Sequence, residues 1–139
     1  MKRTDLLLKI IAAANGEPLT PAQLQKVAFY VGMNFASELQ DYYEFKKYDY
    51  GPFCVDVYRD AERLEREGKV TISIHPRGGW RQYSATLAGM RAEAEDIPDE
   101  VSTYIVEKVR WARAISFPEL VRAVYQEFPQ FRENSVFSG

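Results

Sequence analysis

The fold is decided by the stretch PFCVDVYRDAERLEREGKVTISIHPRGGWRQYSAT, residues 52–86. In its first half, apolar residues recur at helical spacing and define one stripe, namely Val57, Ala61 and Leu64. Gly51 permits a turn just before the stretch, Pro52 suits the first position of a helix, and Gly68 suits its end. We therefore predict a helix over residues 52–67 that buries this stripe.

The second half of the stretch has a different period. Apolar and polar residues alternate from Val70 to Ile74, which is typical of a half-buried strand, and the HPRGG sequence that follows has turn composition. Residues 80–85 supply a returning strand. We therefore predict a β-hairpin over residues 70–85, which we call the wing.

Further helices are predicted on both sides of this unit. Upstream, Thr4 or Asp5 can cap a helix that ends at Asn15-Gly16. A second helix begins at Thr20, which forms a capping-box pattern with Gln23. Its apolar residues lie on more than one face, so we expect protein on all its sides.

Downstream of the wing, helices are predicted over residues 87–95 and 100–113, and a last one begins at Ser116, with Glu119 in the capping-box position. The order of elements predicts a mostly α protein with a small β-hairpin, an α+β winged helix-turn-helix with a C-terminal helical extension. Residues 1–139 form one domain, with a winged-helix core at 4–86 and the extension at 87–139.

Composition sets limits on the class of protein. The chain of 139 residues has a formal net charge of -2 and a single cysteine, Cys54, which excludes an intramolecular disulfide. Apolar runs stay well short of the roughly 20 residues that span a bilayer, so we expect no membrane association and a cytoplasmic location. No cofactor or metal site is expected.

Three quoted segments resemble a group of prokaryotic winged-helix proteins: LQKVAFYVG, then YDYGPF leading into VYRDAERLEREGKV, then YSATLAGM. A Leu-Gln-Lys in the second helix and a Tyr-Gly-Pro before the third are similar to the layout of the Panacea antitoxin-like domain, over roughly residues 4–95. Cys54 departs from that pattern, which has a small hydroxyl residue there. The resemblance implies a regulatory or toxin-neutralising role.

Residues for catalysis are sparse. His75 is the only histidine, lies in a turn, and has neither an orienting carboxylate nor a nucleophile at short range. Cys54 near a helix start reads best as a small buried residue. The carboxylates of the predicted third helix alternate with arginines and read as a solvated, salt-bridged surface: Asp56, Asp60, Glu62, Glu65 and Glu67. We therefore do not expect an enzyme.

Two kinds of partner remain open. Double-stranded DNA is favoured by the basic wing and opposed by the acidic third helix, and its candidate contacts are the cations Lys46, Lys47, Arg59, Arg63, Arg77 and Arg81. A protein partner such as a toxin is favoured by aromatic residues with polar tips, and its candidate contacts are Tyr48, Tyr50 and Trp80.

The preferred interpretation is a DNA-binding transcriptional regulator, and the alternative is an antitoxin or adaptor-type module that binds protein without DNA. We also predict a homodimer through the amphipathic helices of residues 100–128.

Overall fold

The computed structural model describes residues 1–92 and 96–137. Helix α1 (Arg3–Ala12) turns one apolar side into the core, namely Leu6, Leu7, Ile10 and Ile11. The predicted cap at Thr4 or Asp5 is wrong, because the helix starts earlier, with Lys2 at the N-cap position and no side-chain capping bond there among the described residues. The predicted stop is confirmed, since Asn15 and Gly16 both take positive φ, at 55° and 87°.

Helix α2 (Pro21–Phe35) begins at the predicted capping box. The Thr20 hydroxyl accepts a hydrogen bond from the Gln23 N–H at 3.1 Å, and the Gln23 amide oxygen accepts one from the Thr20 N–H at 2.9 Å. Every residue from Leu24 to Val31 is buried, which confirms that protein surrounds the helix. A short 3₁₀ helix, Ala36–Glu38, follows it.

A first hairpin precedes the third helix. Strand β1 (Lys46–Tyr48) pairs antiparallel with β2 (Gly51–Phe53), with Lys47 opposite Pro52. The predicted helix start at Pro52 is therefore wrong, and α3 (Val55–Arg66) begins three residues later. Pairing holds Pro52 in an extended strand, and the chain turns into the helix only after Cys54.

The core stripe of α3 is confirmed, with Val57, Ala61 and Leu64 all buried. The wing is confirmed as an antiparallel hairpin of β3 (Val70–Ile74) and β4 (Arg81–Ala85). Its inner end is anchored, because Val70 is buried and Tyr83 exchanges backbone hydrogen bonds with Leu19. Its outer end projects, and Ile74 is 59% exposed.

Three α-helices and a short 3₁₀ helix complete the described chain: α4 (Leu87–Arg91), α5 (Asp99–Ala114), α6 (Phe117–Glu127) and the 3₁₀ helix Pro129–Arg132. The predicted capping box of α6 is confirmed, since Ser116 and Glu119 exchange side-chain to backbone hydrogen bonds at 3.3 and 3.0 Å. For the helix predicted over residues 87–95, which corresponds to α4, the predicted end at residue 95 lies outside the described residues. Helix α4 packs so closely that a Cβ on Gly89 would lie 2.0 Å from the Lys69 carbonyl oxygen.

The apolar faces of α5 and α6 are buried inside the chain itself. These residues are Val101, Ile105, Val109 and Ala112 on α5, and Leu120, Val121, Val124 and Tyr125 on α6. Helix α5 packs along α2, and α6 contacts both α2 and β2. The apolar surface on which the predicted homodimer through residues 100–128 depended is thus covered without a second copy, and the dimer stays a prediction.

The main hydrophobic core joins these elements, since its buried residues run from Leu6 in α1 to Leu120 in α6, and a smaller cluster contains Phe29, Tyr30 and Val124. The described residues form a mostly helical chain with two small antiparallel hairpins. This confirms the predicted α+β class.

Candidate partner-binding site

Two segments that are far apart in sequence meet at the buried side chain of Gln25. Its amide nitrogen donates a hydrogen bond to the Cys54 carbonyl at 2.8 Å, and its amide oxygen accepts one from the Cys54 N–H at 3.0 Å. Cys54 is the residue between β2 and α3, where a chain leaving a strand needs partners for its backbone groups. Gln25 supplies both, and so fixes α2 to the start of α3.

The next residue, Lys26, reaches the same hairpin. It is 5% exposed, and its Nζ lies 3.5 Å from the Pro52 carbonyl oxygen. Burial lowers the pKa of this ammonium group to about 8, since a charge among apolar atoms loses its hydration. No ion pair within residues 1–92 and 96–137 includes Lys26.

Lys26 borders a cavity of about 190 Å³. We call this cavity the aromatic cleft, and its lining includes Lys26, Tyr48, Tyr50, Phe53, Tyr58 and Phe117. The rim is exposed, with Tyr48 at 54%, Tyr50 at 45% and Phe117 at 43%. The lining of the cleft thus combines a buried cation with exposed aromatic rings.

Ring contacts hold the walls of the cleft in place. Tyr48 stacks on Phe53 with ring centroids 5.0 Å apart, and Tyr50 meets Phe117 edge-on at 5.3 Å. Phe53 also packs edge-on against Tyr58 at 5.7 Å. Because each ring has a neighbour within the range of favourable aromatic pairs, the cleft is preformed.

The predicted partner contacts divide between two places. Tyr48 and Tyr50 both line the aromatic cleft. Trp80 does not line it, because it lies at the turn of the wing and stacks on His75, with ring centroids 4.3 Å apart. Gly78 is required beneath that ring, since a Cβ there would lie 1.7 Å from a Trp80 ring carbon. Trp80 therefore covers the tip of its own hairpin.

Most of the predicted DNA-contacting cations have a carboxylate neighbour. Four pairs are present: Lys47 with Glu133 at 2.5 Å, Arg59 with Asp56 at 3.4 Å, Arg63 with Glu67 at 3.6 Å, and Arg81 with Glu62 at 3.2 Å. Lys46 and Arg77 form no ion pair with any residue that the structure describes. The six cations therefore present less net positive charge than their number indicates.

The interpretation of the α3 carboxylates as solvated surface is wrong for Asp60. Asp60 is buried, accepts a hydrogen bond from the Tyr43 hydroxyl at 2.7 Å, and pairs with Arg3 Nε at 3.0 Å. Burial and the neighbouring carboxylate raise the pKa of Tyr43 well above its ordinary value. This polar cluster links α1, α3 and the segment before β1.

The residues considered for catalysis, Cys54 and His75, each have a defined place in the fold. Cys54 is buried, as predicted, and its side chain makes no cap for α3 among the described residues. His75 uses its Nδ1 to accept hydrogen bonds from the N–H groups of Arg77 and Gly78, so it closes the turn of the wing. The described residues contain no cluster of three potential metal ligands and no helix long and apolar enough to cross a membrane.

Sequence reasoning missed Gln25 and Lys26 as site residues, although both belong to the quoted Leu-Gln-Lys motif. A charged residue followed directly by the apolar run of residues 27–31, on a helix surrounded by protein, was the available signal. Comparison of the chain with protein-family models, curated proteins and solved structures found no match.

Proposed function

We propose that this chain is a protein-binding module of the antitoxin or adaptor kind that holds a short segment of its partner in the aromatic cleft. The observation that carries the proposal is the cleft itself, in which exposed Tyr48, Tyr50 and Phe117 surround a buried Lys26. The partner segment would be short and apolar, with one polar group for the cleft floor.

The composition of the rim supports a protein partner. Tyrosine is enriched at the energetic centres of interfaces, because it offers a large rigid surface and a polar tip. The cavity of about 190 Å³ is smaller than the roughly 300–1,000 Å³ typical of small-molecule sites, so it suits one side chain better than a cofactor.

The winged-helix arrangement is part of the proposal. Three helices precede the wing in the order α1, α2, α3, β3, β4, with an additional small hairpin before α3. The two motifs behind the Panacea-like resemblance, Leu-Gln-Lys and Tyr-Gly-Pro, meet where the Lys26 Nζ lies 3.5 Å from the Pro52 carbonyl oxygen. A shared contact gives both motifs one reason to be present, which supports the proposed relationship.

DNA binding is the second candidate. It is favoured by Lys46 and Arg77, whose charges have no carboxylate neighbour within 4.0 Å among the described residues. It is disfavoured by the acidic partners of the other four cations, since paired charges attract phosphates less.

A displayed library of short random peptides tests the protein-binding proposal. Peptides are selected on the wild-type protein, and each enriched peptide is then measured on a Tyr50→Ser/Phe117→Ser double variant. Both residues are exposed, so the double variant should keep its fold. We expect affinity to fall at least about tenfold, because two aromatic contacts each contribute on the order of 1 kcal/mol or more.

Trp80→Ser is the matched control, since Trp80 is 44% exposed but lies outside the cleft. Peptides that dock in the cleft should bind this variant as they bind the wild type. The proposal fails if no peptide is enriched, or if enriched peptides bind the double variant at wild-type strength.

A further inference from the structure

Lys26 is a buried cation with unused hydrogen-bonding capacity. An ammonium group has three donors, and the described residues offer its Nζ one acceptor, the Pro52 carbonyl oxygen, at the long distance of 3.5 Å. Lysine is rarely buried to this degree without a carboxylate. The fold therefore keeps a charged donor beside a cavity at an energetic cost.

The surroundings of Lys26 determine which chemical group could accept its remaining hydrogen bonds. Five of the nine described residues that line the aromatic cleft are aromatic, and Lys26 is the one cation among the nine. A phosphate would bring two negative charges to one ammonium group, whereas a carboxylate brings one. The occupant therefore needs a single negative charge on an apolar stem.

We propose, on the basis of the proposed function above, that the aromatic cleft recognises a glutamate side chain of the partner segment, whose carboxylate binds the Lys26 ammonium group. A glutamate has two methylene groups that can contact the aromatic rings of the cleft while its charge reaches Lys26. Its volume also suits a cavity of about 190 Å³, which has the space of about six water molecules.

The protonation of Lys26 is compatible with this role. Burial lowers its pKa to about 8, so the ammonium form still predominates at neutral pH. A carboxylate placed beside it would favour the charged form and move the pKa upward again. The other titratable side chains that border the cleft are tyrosines, and burial raises the pKa of Tyr58 to about 12.

Two matched peptide libraries test the inference. One carries a fixed glutamate between random residues, and the other carries a fixed glutamine at the same position. We expect the wild-type protein to enrich glutamate peptides at least about tenfold over glutamine peptides, because a charge-assisted hydrogen bond is worth more than a neutral one. Lys26→Met should abolish that preference, and Lys9→Met, a lysine of α1 outside the cleft, should retain it.

A second measurement uses the unmodified protein and does not depend on a variant that folds. In wild-type protein with ¹³C-labelled lysine, the Lys26 Cε signal reports the pKa, which a bound glutamate peptide should raise and its glutamine counterpart should not. The inference is overturned if glutamine peptides bind equally well and still require Tyr50, in which case the proposed function stands. If neither library yields a binder, the proposed function fails and the inference fails with it.

Discussion

The Lys26 ammonium group has one hydrogen-bond acceptor among the described residues, the Pro52 carbonyl oxygen, and it borders a cleft lined by aromatic side chains. Its pKa of about 8 in the folded chain lies below the ordinary value of 10.5. Between these two pH values the unfolded chain binds a proton that the folded chain has released. Stability therefore rises as pH increases through this window, the reverse of the behaviour of a lysine with a carboxylate partner.

We predict that Lys26→Met removes this dependence. From about pH 7.5 to about pH 9.5, the unfolding free energy of the wild type should rise relative to the variant by about 1–2 kcal/mol, from the pKa difference and 1.36 kcal/mol per unit. Near pH 7.5 the variant should be the more stable protein, because a buried charge has been replaced by an apolar side chain of similar length.

Urea unfolding at several pH values measures this difference. Contributions from the tyrosines are common to both proteins and cancel in the comparison. If the unfolding free energies of the two proteins instead change in parallel with pH, the Lys26 ammonium group is hydrated in solution, which would contradict its burial.

At the scale of elements, the junction between β2 and α3 depends on one side chain. We predict that Gln25→Leu destabilises the protein by about 2–4 kcal/mol, because it leaves the Cys54 N–H and carbonyl without their buried partner. Gln126→Leu on the exposed side of α6 should change stability by no more than about 0.5 kcal/mol. Chemical denaturation measures both values.

Hydrogen exchange distinguishes this mechanism from a general packing loss. In Gln25→Leu, the amide proton of Cys54 should exchange faster relative to amides in the middle of α2. Equal acceleration at both places would mean that the substitution disturbs the core instead of the junction.

Local chemistry predicted the elements well wherever the determining residues are neighbours in the chain. Thr20 with Gln23 and Ser116 with Glu119 are three residues apart, and both capping boxes are present. The start of α3 could not be predicted in this way. Pro52 is favourable at a helix start, but its pairing with Lys47 and the two hydrogen bonds that Gln25 and Cys54 exchange hold the chain extended until Cys54.

At the scale of the whole molecule, separation along the chain also explains which residues of the candidate site could be predicted from the sequence. Aromatic composition alone pointed to Tyr48 and Tyr50. The role of Lys26 was hidden because its contact with Pro52 spans 26 residues. The pairing of Lys47 with Glu133 spans 86 residues, so a count of charges along the chain overestimated the basic surface.

The ion pairs lead to a quantitative prediction for DNA. Of the six cations proposed to contact phosphates, Lys46 and Arg77 form no ion pair with described residues. The logarithm of the binding constant falls with the logarithm of salt concentration by about 0.9 per neutralised phosphate. We therefore expect any binding to duplex DNA to show a slope of no more than about two, whereas six contacts would give about five.

Fluorescence anisotropy with a duplex of unrelated sequence, titrated at several salt concentrations, measures the slope. Arg77→Ala should reduce it by about one, and Arg81→Ala should leave it nearly unchanged because Glu62 already neutralises that charge. A slope near five that both substitutions reduce would show that the ion pairs open on DNA. The wing would then be a phosphate-binding surface, and DNA would replace a protein segment as the proposed partner.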